Sequence, residues 1–223
     1  MSASEEMFSR IRRSLGAGND NERRAAVAAR LAQPPIGVIP ARASLNPDAR
    51  LALFSAMAGK AQASLVRLTD RSEIPVAAAE FLRQHSLPPS LRRGEDKRLA
   101  DLSWAGQSQL SLAIGATEGS DLTAISHAEA GVAETGTLVL LSGKDNPTTL
   151  NFLPENHIVV VEAKNIVGSY EAAFEILRAR FPRLLPRTLN LITGPSRSAD
   201  IEQTLQLGAH GPKRLHIVLV GPA

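Results

Sequence analysis

Near-continuous apolar runs alternate with amphipathic stretches along the last third of the chain. The runs cover residues 157–162, 188–193 and 215–220 and consist mainly of Val, Ile and Leu. The stretches between them, near 169–181 and 198–208, carry apolar residues at helical spacing. Strands that are apolar throughout, joined by helices, are typical of a parallel sheet buried on both faces. The pattern predicts that the three runs are adjacent or near-adjacent central strands.

The same alternation of helices and strands begins at Asn46. A helix capped by Asn46 is expected to end near Gly59, because proline follows the cap and glycine favours a helix end. An apolar run at 63–68, a helix near 75–85 and a strand-like stretch at 109–114 follow. The alternation predicts an α/β fold with a mainly parallel sheet.

The first 45 residues have a different character. Ser4 is placed to cap a short helix whose apolar residues recur at helical spacing: Met7, Phe8, Ile11 and Leu15. Asp20 is placed to cap a second helix to about Ala32, and prolines then make 34–47 an extended linker. We predict a helical appendage and linker at 1–45 and an α/β domain at 46–223. The appendage is expected to cover a sheet edge, bind a partner or pack on a second copy of the chain, so a homo-oligomer stays open.

The composition narrows the class of protein. With 43% hydrophobic and 21% charged residues, the 223-residue chain lies in the globular range. It contains no cysteine, which excludes disulfides, a thiol nucleophile and iron–sulfur ligation by its own thiolates. The formal net charge is only +3, and acidic residues interrupt the N-terminal arginines, so nucleic-acid binding is not expected. No apolar run approaches the ~20 residues that span a bilayer, which predicts a cytoplasmic protein without membrane insertion.

The common nucleotide and metal motifs do not occur in the sequence. Gly136 and Gly143 are spaced too widely for a phosphate-binding P-loop, and Lys144 is followed by Asp145. The five histidines are scattered, with no spacing typical of zinc. We therefore expect neither a cofactor nor a metal.

Residues 130–142 contain two strand-like runs with a bend between them. The bend places a carboxylate and two hydroxyls beside a flexible glycine: Glu134, Thr135, Gly136 and Thr137. Two interpretations stay open. Either this is a tight bend with a solvated Glu134, or Glu134 is a buried catalytic base, nucleophile or ligand-binding carboxylate at the rim of the sheet, beside threonines and a glycine that bind the ligand.

The segment 188–202 is predicted to pass from a strand through a turn directly into a helix. The turn offers a glycine, two hydroxyls and a guanidinium suited to an anion: Gly194, Ser196, Ser198 and Arg197. Ligands gather at the carboxyl ends of strands in open α/β sheets, and a helix N-terminus carries positive partial charge. The alternative is that a serine only caps the helix while Arg197 pairs with Asp200 or Glu202.

His210 lies in a turn before the last strand, shaped by Gly208, Gly211 and Pro212. It is either a surface residue of that turn or a catalytic residue that supplies a proton or a hydrogen bond to a ligand. We predict one anion site that joins the bend at 134–137 to the helix start near Ser198.

Three segments in this order resemble the lactate-utilisation protein C family, whose domain is called the LUD domain. AEAGVAETGTLVL resembles the family's IAETGT stretch, ITGPSRSADIE its GPSRTADIE stretch, and LGAHGPKRLHIVLV its GVHGP stretch and terminal strand. Ser198 stands where the family stretch has threonine, which preserves a hydroxyl. The resemblance covers the C-terminal half closely and the N-terminal half in outline.

The resemblance implies a three-layer α/β sandwich similar to the NagB/RpiA/CoA-transferase superfamily. It implies a non-redox role in bacterial oxidation of L-lactate to pyruvate, beside iron–sulfur and oxidoreductase partner proteins. It does not settle whether the chain is an enzyme, because fold membership alone does not license a reaction. Two alternatives stay open: a ligand-binding or transferase-like enzyme for a small anionic metabolite such as a carboxylate or acyl-CoA, and a metabolite-sensing regulator.

Overall fold

The computed structural model describes residues 2–16, 21–34, 37–182, 185–199 and 205–222. The chain divides into two compact units, Met1–Val38 and Ile39–Ala223. Among the described residues, no helix is long and apolar enough to cross a membrane.

The first unit contains the helices α1 (Ala3–Ser14) and α2 (Asn21–Ala32). Both predicted helices are therefore confirmed. The cap of α1 is Ser2 rather than Ser4, because Ser2 and Glu5 form a reciprocal capping box. Asp20, the expected cap of α2, lies outside the described residues. Neither helix buries a side chain. The division into an appendage at 1–45 and a domain at 46–223 stays a prediction.

The described part of the second unit contains four α-helices and twelve strands. In chain order they are α3 (Pro47–Lys60), β1 (Ser64–Leu68), α4 (Ile74–Gln84), β2 (Ser90–Arg93), α5 (Lys97–Ala100), β3 (Ser111–Ile114), β4 (Thr123–His127), β5 (Ala130–Val132), β6 (Thr137–Leu141), β7 (Asn156–Glu162), β8 (Ile166–Val167), α6 (Tyr170–Arg180), β9 (Leu189–Ile192), β10 (Arg197–Ala199), β11 (Leu205–Leu207) and β12 (Arg214–Val220).

A six-stranded sheet forms the centre of this unit. Its order is β1-β12-β7-β4-β2-β3, and every neighbouring pair is parallel. The prediction of a mainly parallel sheet is confirmed, and the runs near 157–162 and 215–220 are adjacent strands in it. The helix α3 also begins as expected, because the Asn46 side chain accepts from the Ala49 N–H at 2.9 Å.

The placement of the run 188–193 in this sheet was wrong. Strand β9 pairs antiparallel with β6 in a second sheet of order β8-β5-β6-β9. The apolar run gives no sign of this, but Asn190 is buried while Leu191 is exposed. A strand at the edge of an antiparallel sheet accommodates that half-exposed pattern.

The helix predicted over 198–208 was also wrong. Strands β10 and β11 form an antiparallel ribbon in which Arg197 pairs with Leu207. Residues 200–204 lie outside the described residues. The ribbon is closed at its base by a 3.0 Å hydrogen bond from the Gly208 N–H to the Ser196 carbonyl. Helical spacing of apolar residues did not decide the structure here, because the tertiary context fixes both ends of the segment.

The core lies on both faces of the parallel sheet. On one face, α4 and α5 pack Phe81 and Leu99 against sheet residues such as Ile158. On the other face, α3 and the small sheet pack Phe54 and Leu138 against the neighbouring strands. Helix α6 covers the outer face of the small sheet. The expected α/β three-layer fold is confirmed.

Candidate functional site

The predicted bend at 134–137 connects β5 to β6, which pair as an antiparallel hairpin. Gly136 has a φ of +70°, a backbone conformation that residues other than glycine adopt only with strain. The bend was therefore expected correctly, but Glu134 is not solvated. It is only 5% exposed.

Four hydroxyls form a hydrogen-bonded cluster at this end of the small sheet. The Thr137 hydroxyl lies 2.7 Å from that of Thr135, 2.8 Å from that of Tyr170 and 2.6 Å from that of Thr193. The Thr135 hydroxyl also donates to Tyr170 Oη at 3.1 Å. Thr137 is fully buried, whereas Thr193 is exposed, so the cluster reaches from the core to the surface. Sequence reasoning identified Thr135 and Thr137 but missed Tyr170 and Thr193.

Two glycines bring this cluster against the C-terminal turn of α3. A Cβ added to Gly136 would lie 2.3 Å from the Ala58 backbone nitrogen, and one added to Gly194 would lie 2.0 Å from the Ala61 carbonyl oxygen. Gly194 also has a φ of +70°. Both glycines are required by close backbone packing, which supplies a structural reason for the two glycine-containing motifs.

The helix ends near the cluster do not present a free positive end to a ligand. The C-terminal end of α3, which carries negative partial charge, packs on Gly136 and Gly194. At the N-terminal end of α6, Glu134 Oε1 accepts a hydrogen bond from the Tyr170 N–H at 3.3 Å. The buried carboxylate of Glu134 thus already occupies the positive end of α6.

The second and third predicted segments contact each other through Ser196. The Ser196 N–H donates to the Pro212 carbonyl at 2.9 Å, and Ser196 Oγ accepts from the His210 N–H at 3.3 Å. The His210 side chain is exposed beside an open depression of about 510 Å³. Arg197 is exposed too, and the side chain of Ser198 lies outside the described residues.

The predicted site residues therefore form a chain of contacts and do not line one pocket. The Thr137–Thr193 hydrogen bond links the bend to the strand end that leads to Gly194, and Ser196 links that loop to His210. The described contacts do not join Glu134 to Arg197, and no helix begins within 197–199. The shared anion site stays a prediction, without the helix N-terminus on which it relied.

A second region, which sequence reasoning missed, lies at the carboxyl ends of the parallel strands. Arg98 Nη2 donates to Asp96 Oδ2 at 2.6 Å and to Glu129 Oε1 at 2.7 Å. Arg180 makes an ion pair with the other oxygen of Glu129. Glu129 is thus held between two guanidinium groups, one from α5 and one from the end of α6.

His127, the last residue of β4, lies beside this network and is only 2% exposed. Its Nδ1 lies 2.8 Å from the Ala128 carbonyl oxygen, and its Nε2 lies 3.6 Å from Glu162 Oε1. Glu162 ends β7, and Arg71 Nε lies 3.5 Å from the same oxygen. The network therefore extends from the end of β4 to the end of β7 and on to Arg71, in the turn that follows β1.

Two carboxyl groups of this region have lowered pKa values. Burial alone would raise the pKa of Asp96, but the hydrogen bonds and charge of Arg98 outweigh burial and lower it. Contact with His127 lowers the pKa of Glu162, burial opposes that effect, and the charge of Arg71 adds to it. Both groups are therefore carboxylates at neutral pH.

Below this edge, a buried histidine belongs to a polar network of the core. Burial lowers the pKa of His157 to about 3, so its imidazole is neutral at pH 7. Its Nε2 lies 3.0 Å from Ser126 Oγ, which donates to Asn146 Oδ1 at 2.7 Å. Because the Ser126 proton is used on Asn146, His157 Nε2 must carry the hydrogen and donate to Ser126.

The region has weak sequence signals. Its charged residues come from five separated parts of the chain, and only Asp96 and Arg98 share one charged run: Arg71, Asp96, Arg98, Glu129, Glu162 and Arg180. The strand β4 ends in a serine and a histidine and does not read as a buried strand, although all five of its residues are buried. Only the position of Glu162 at the end of an apolar run could have indicated the edge. Within the ranges that the structure describes, no group of three or more His, Cys, Asp or Glu side chains could hold a metal ion.

Known proteins are similar to this chain in sequence and in fold. The LUD domain model matches residues 58–220. The chain is 35% identical over 150 residues to lactate utilization protein C of Anoxybacillus flavithermus, which covers 66% of this chain and 62% of that protein. It is 40% identical over 98 residues to lactate utilization protein C of Bacillus subtilis, which covers 43% of this chain and 41% of that protein. The alignments thus span about two fifths to three fifths of these curated relatives.

A solved structure confirms the fold. The crystal structure of a DUF162 family protein from Deinococcus radiodurans matches with a TM-score of 0.60 and 20% sequence identity, over 79% of this chain and 99% of that one. This likeness supports the arrangement of strands and helices and nothing finer. The match to the family model, by contrast, extends over more than two thirds of the sequence. This chain belongs to the LUD domain family.

Proposed function

We propose that this chain acts in lactate utilisation, as a non-redox component of bacterial L-lactate oxidation to pyruvate that works with iron–sulfur and oxidoreductase partner proteins. The observation that carries the proposal is the 35% identity to a protein named lactate utilization protein C. The absence of cysteine supports a division of labour in which partners carry the iron–sulfur clusters.

Growth of a deletion strain tests the proposal. Removing the gene from its own organism is expected to abolish growth on L-lactate as sole carbon source while leaving growth on pyruvate intact. Reintroducing the full chain should restore growth on L-lactate. Normal growth of the deletion strain on L-lactate would contradict the role.

Co-purification tests the partners separately. A tagged full chain purified from cells grown on L-lactate is expected to retain proteins with the visible absorption of iron–sulfur clusters. The chain alone is expected to show no lactate-dependent dye reduction. Dye reduction by the homogeneous chain would overturn the non-redox assignment without overturning the role in lactate utilisation.

The ligand-binding or transferase-like alternative, with a carboxylate or acyl-CoA as substrate, is favoured by the hydroxyl cluster. Thr135, Thr137 and Thr193 supply hydroxyls in a cluster that reaches the surface at Thr193, and Gly194 allows close backbone approach. If Arg197 completes this site, Arg197→Ala should weaken acetyl-CoA binding about tenfold, because a charged hydrogen bond contributes about 1.5–3 kcal/mol. Calorimetry with acetyl-CoA checks this, and binding that is equal in both proteins would exclude Arg197 from the site.

A further inference from the structure

The charged region at the carboxyl edge of the parallel sheet encloses a pocket of about 190 Å³. Its walls include the side chains of the network described above: Asp96, Arg98, His127, Glu129 and Arg180. The pocket opens beyond the end of β4, and in open α/β sheets ligands bind outside the carboxyl ends of the strands. Its volume suits a molecule of a few heavy atoms.

The two arginines of the pocket are held in place by protein carboxylates but keep unused donors. Arg98 engages Asp96 and Glu129 through Nε and Nη2, and its Nη1 has no partner among the described residues. Arg180 contacts Glu129 through Nη1 alone within the same described set, and its guanidinium lies over the Phe181 ring at 5.3 Å. Guanidinium groups fixed in this way bind a carboxylate at low conformational cost.

His127 is a buried wall residue whose Nε2 faces Glu162, a carboxylate that does not line the pocket. The residue is 98% buried and lines the pocket, and its Nε2 has no hydrogen-bond partner among the described residues. In the neutral ring with its proton on Nδ1, that proton serves the Ala128 carbonyl, and the Nε2 lone pair then faces Glu162 at 3.6 Å. A proton on Nε2 would turn this opposition of two acceptors into an attraction.

The charges around His127 balance before any ligand enters. Three guanidiniums come from the turn after β1, from α5 and from α6, and three carboxylates come from the loops beside them and from β7: Arg71, Arg98, Arg180, Asp96, Glu129 and Glu162. Two exposed charges complete the balance: Lys164 follows Glu162, and Asp145 lines the pocket. A bound carboxylate adds one negative charge, which a proton taken up by His127 offsets.

We propose that this pocket binds a short-chain carboxylate through Arg98 and Arg180, with uptake of one proton by His127. The proposal goes beyond a role in lactate utilisation, because an accessory component needs no ligand of its own. The ligand carboxylate accepts hydrogen bonds from the unused guanidinium N–H groups, and no covalent step is involved.

Calorimetry on the full chain tests the pocket directly. The probes are acetate, L-lactate and pyruvate, with the neutral L-lactamide as control, each at pH 6 and pH 8. At least one carboxylate is expected to bind, about tenfold more tightly at pH 6 than at pH 8, because protonation is linked to binding. Titrations in two buffers of different ionisation enthalpy should report net proton uptake. Absence of binding by all three carboxylates, or equal binding of L-lactamide and L-lactate, would overturn the proposal.

Matched variants locate the binding site. Arg180→Gln is expected to weaken binding about tenfold. Arg178→Gln, an exposed change in the same last turn of α6 that does not line the pocket, should leave binding unchanged. His127→Gln should remove the proton uptake. If Arg180→Gln and Arg178→Gln bind equally, the ligand lies elsewhere.

These outcomes are separable from those of the growth experiment. A chain that restores growth on L-lactate but binds no carboxylate would overturn the pocket alone. A chain that binds a carboxylate but is dispensable for growth on L-lactate would overturn the proposed role alone.

Discussion

The end of the small sheet and the carboxyl edge of the large sheet are built from different chemistry. At the first, four hydroxyls bond to one another, and Gly136 and Gly194 press on the backbone of α3. At the second, guanidiniums and carboxylates converge around His127. The first is conspicuous in the sequence and the second is not. The glycine and threonine motifs stand out in the sequence because a backbone constraint requires small residues close together along the chain. The charged region does not stand out, because the fold brings its residues together from distant positions.

The largest expected effect tests the backbone constraint at the small sheet. Gly136→Ala should lower the free energy of unfolding by about 3 kcal/mol, since a side chain would combine a strained φ of +70° with a 2.3 Å approach to α3. Gly119→Ala is the control, because Gly119 also has a positive φ but nothing within 4 Å. It should cost about 1 kcal/mol. Urea unfolding of both variants measures the difference, and equal losses would remove close packing as the reason for this motif.

Two buried glutamates, one from each region, sharpen the comparison. Glu129→Gln should cost about 2 kcal/mol, because it leaves Arg98 and Arg180 without their shared carboxylate while both remain partly hydrated. Glu134→Gln should cost about 1 kcal/mol, because it removes only a charge at the N-terminal end of α6. Denaturant unfolding at pH 7 compares them. A larger loss for Glu134→Gln would mean that the hydroxyl region, not the charged edge, depends on its carboxylate.

The pH dependence of stability tests the core beneath the charged edge. The pKa of His157 is lowered from 6.5 to about 3 in the folded state, so the unfolded chain binds the extra proton between these values. Stability is therefore full above about pH 6.5 and falls as the pH decreases towards 3. Between pH 7 and pH 5 the loss from this group is about 2 kcal/mol.

The variant His157→Gln should show a smaller loss over the same interval. The exposed His210→Gln serves as the control and should behave like the wild type. Urea unfolding at the two pH values provides the measurement. If His157→Gln loses as much stability as the wild type, proton uptake at His157 does not contribute.

A smaller effect is expected within the hydroxyl cluster. Tyr170→Phe removes the hydroxyl that contacts Thr135 and Thr137 and should cost about 1 kcal/mol. Thr193→Val, at the exposed end of the cluster, removes one contact and should cost less. Thermal unfolding ranks the two variants, and the reverse order would place the centre of the cluster at its surface.

The smallest effect is expected from removing the N-terminal helices, because both regions belong to the unit Ile39–Ala223. A chain beginning at residue 39 should unfold cooperatively with little change in stability. A chain beginning at residue 46 should be less stable, since it lacks Ala43, whose backbone packs on Gly168. Calorimetric unfolding of both truncations gives the comparison. Loss of cooperative unfolding in the chain that begins at residue 39 would contradict the appendage prediction.

The sequence predicted the parts of the molecule that local chemistry controls. The runs near 157–162 and 215–220 form adjacent strands because strands of continuous apolar residues are stable only when covered on both faces. The bend around Gly136 was predicted because a glycine between two strand-like runs favours a turn. Strand β9 and the ribbon at 197–207 were not predicted, since short apolar segments suit an edge strand or a helix equally well.

The tertiary structure alone decided where the charges meet. Arg98 and Arg180 are 82 residues apart by numbering, and only the packing of α5 and α6 around the end of β4 places both on Glu129. Nor did the sequence show that Glu134 occupies the N-terminal end of α6, because that contact spans 36 residues. Local preferences act over a few neighbouring residues, so the sequence alone determined the elements. The geometry of a site built from several strand ends depends on long-range packing, which those preferences do not encode.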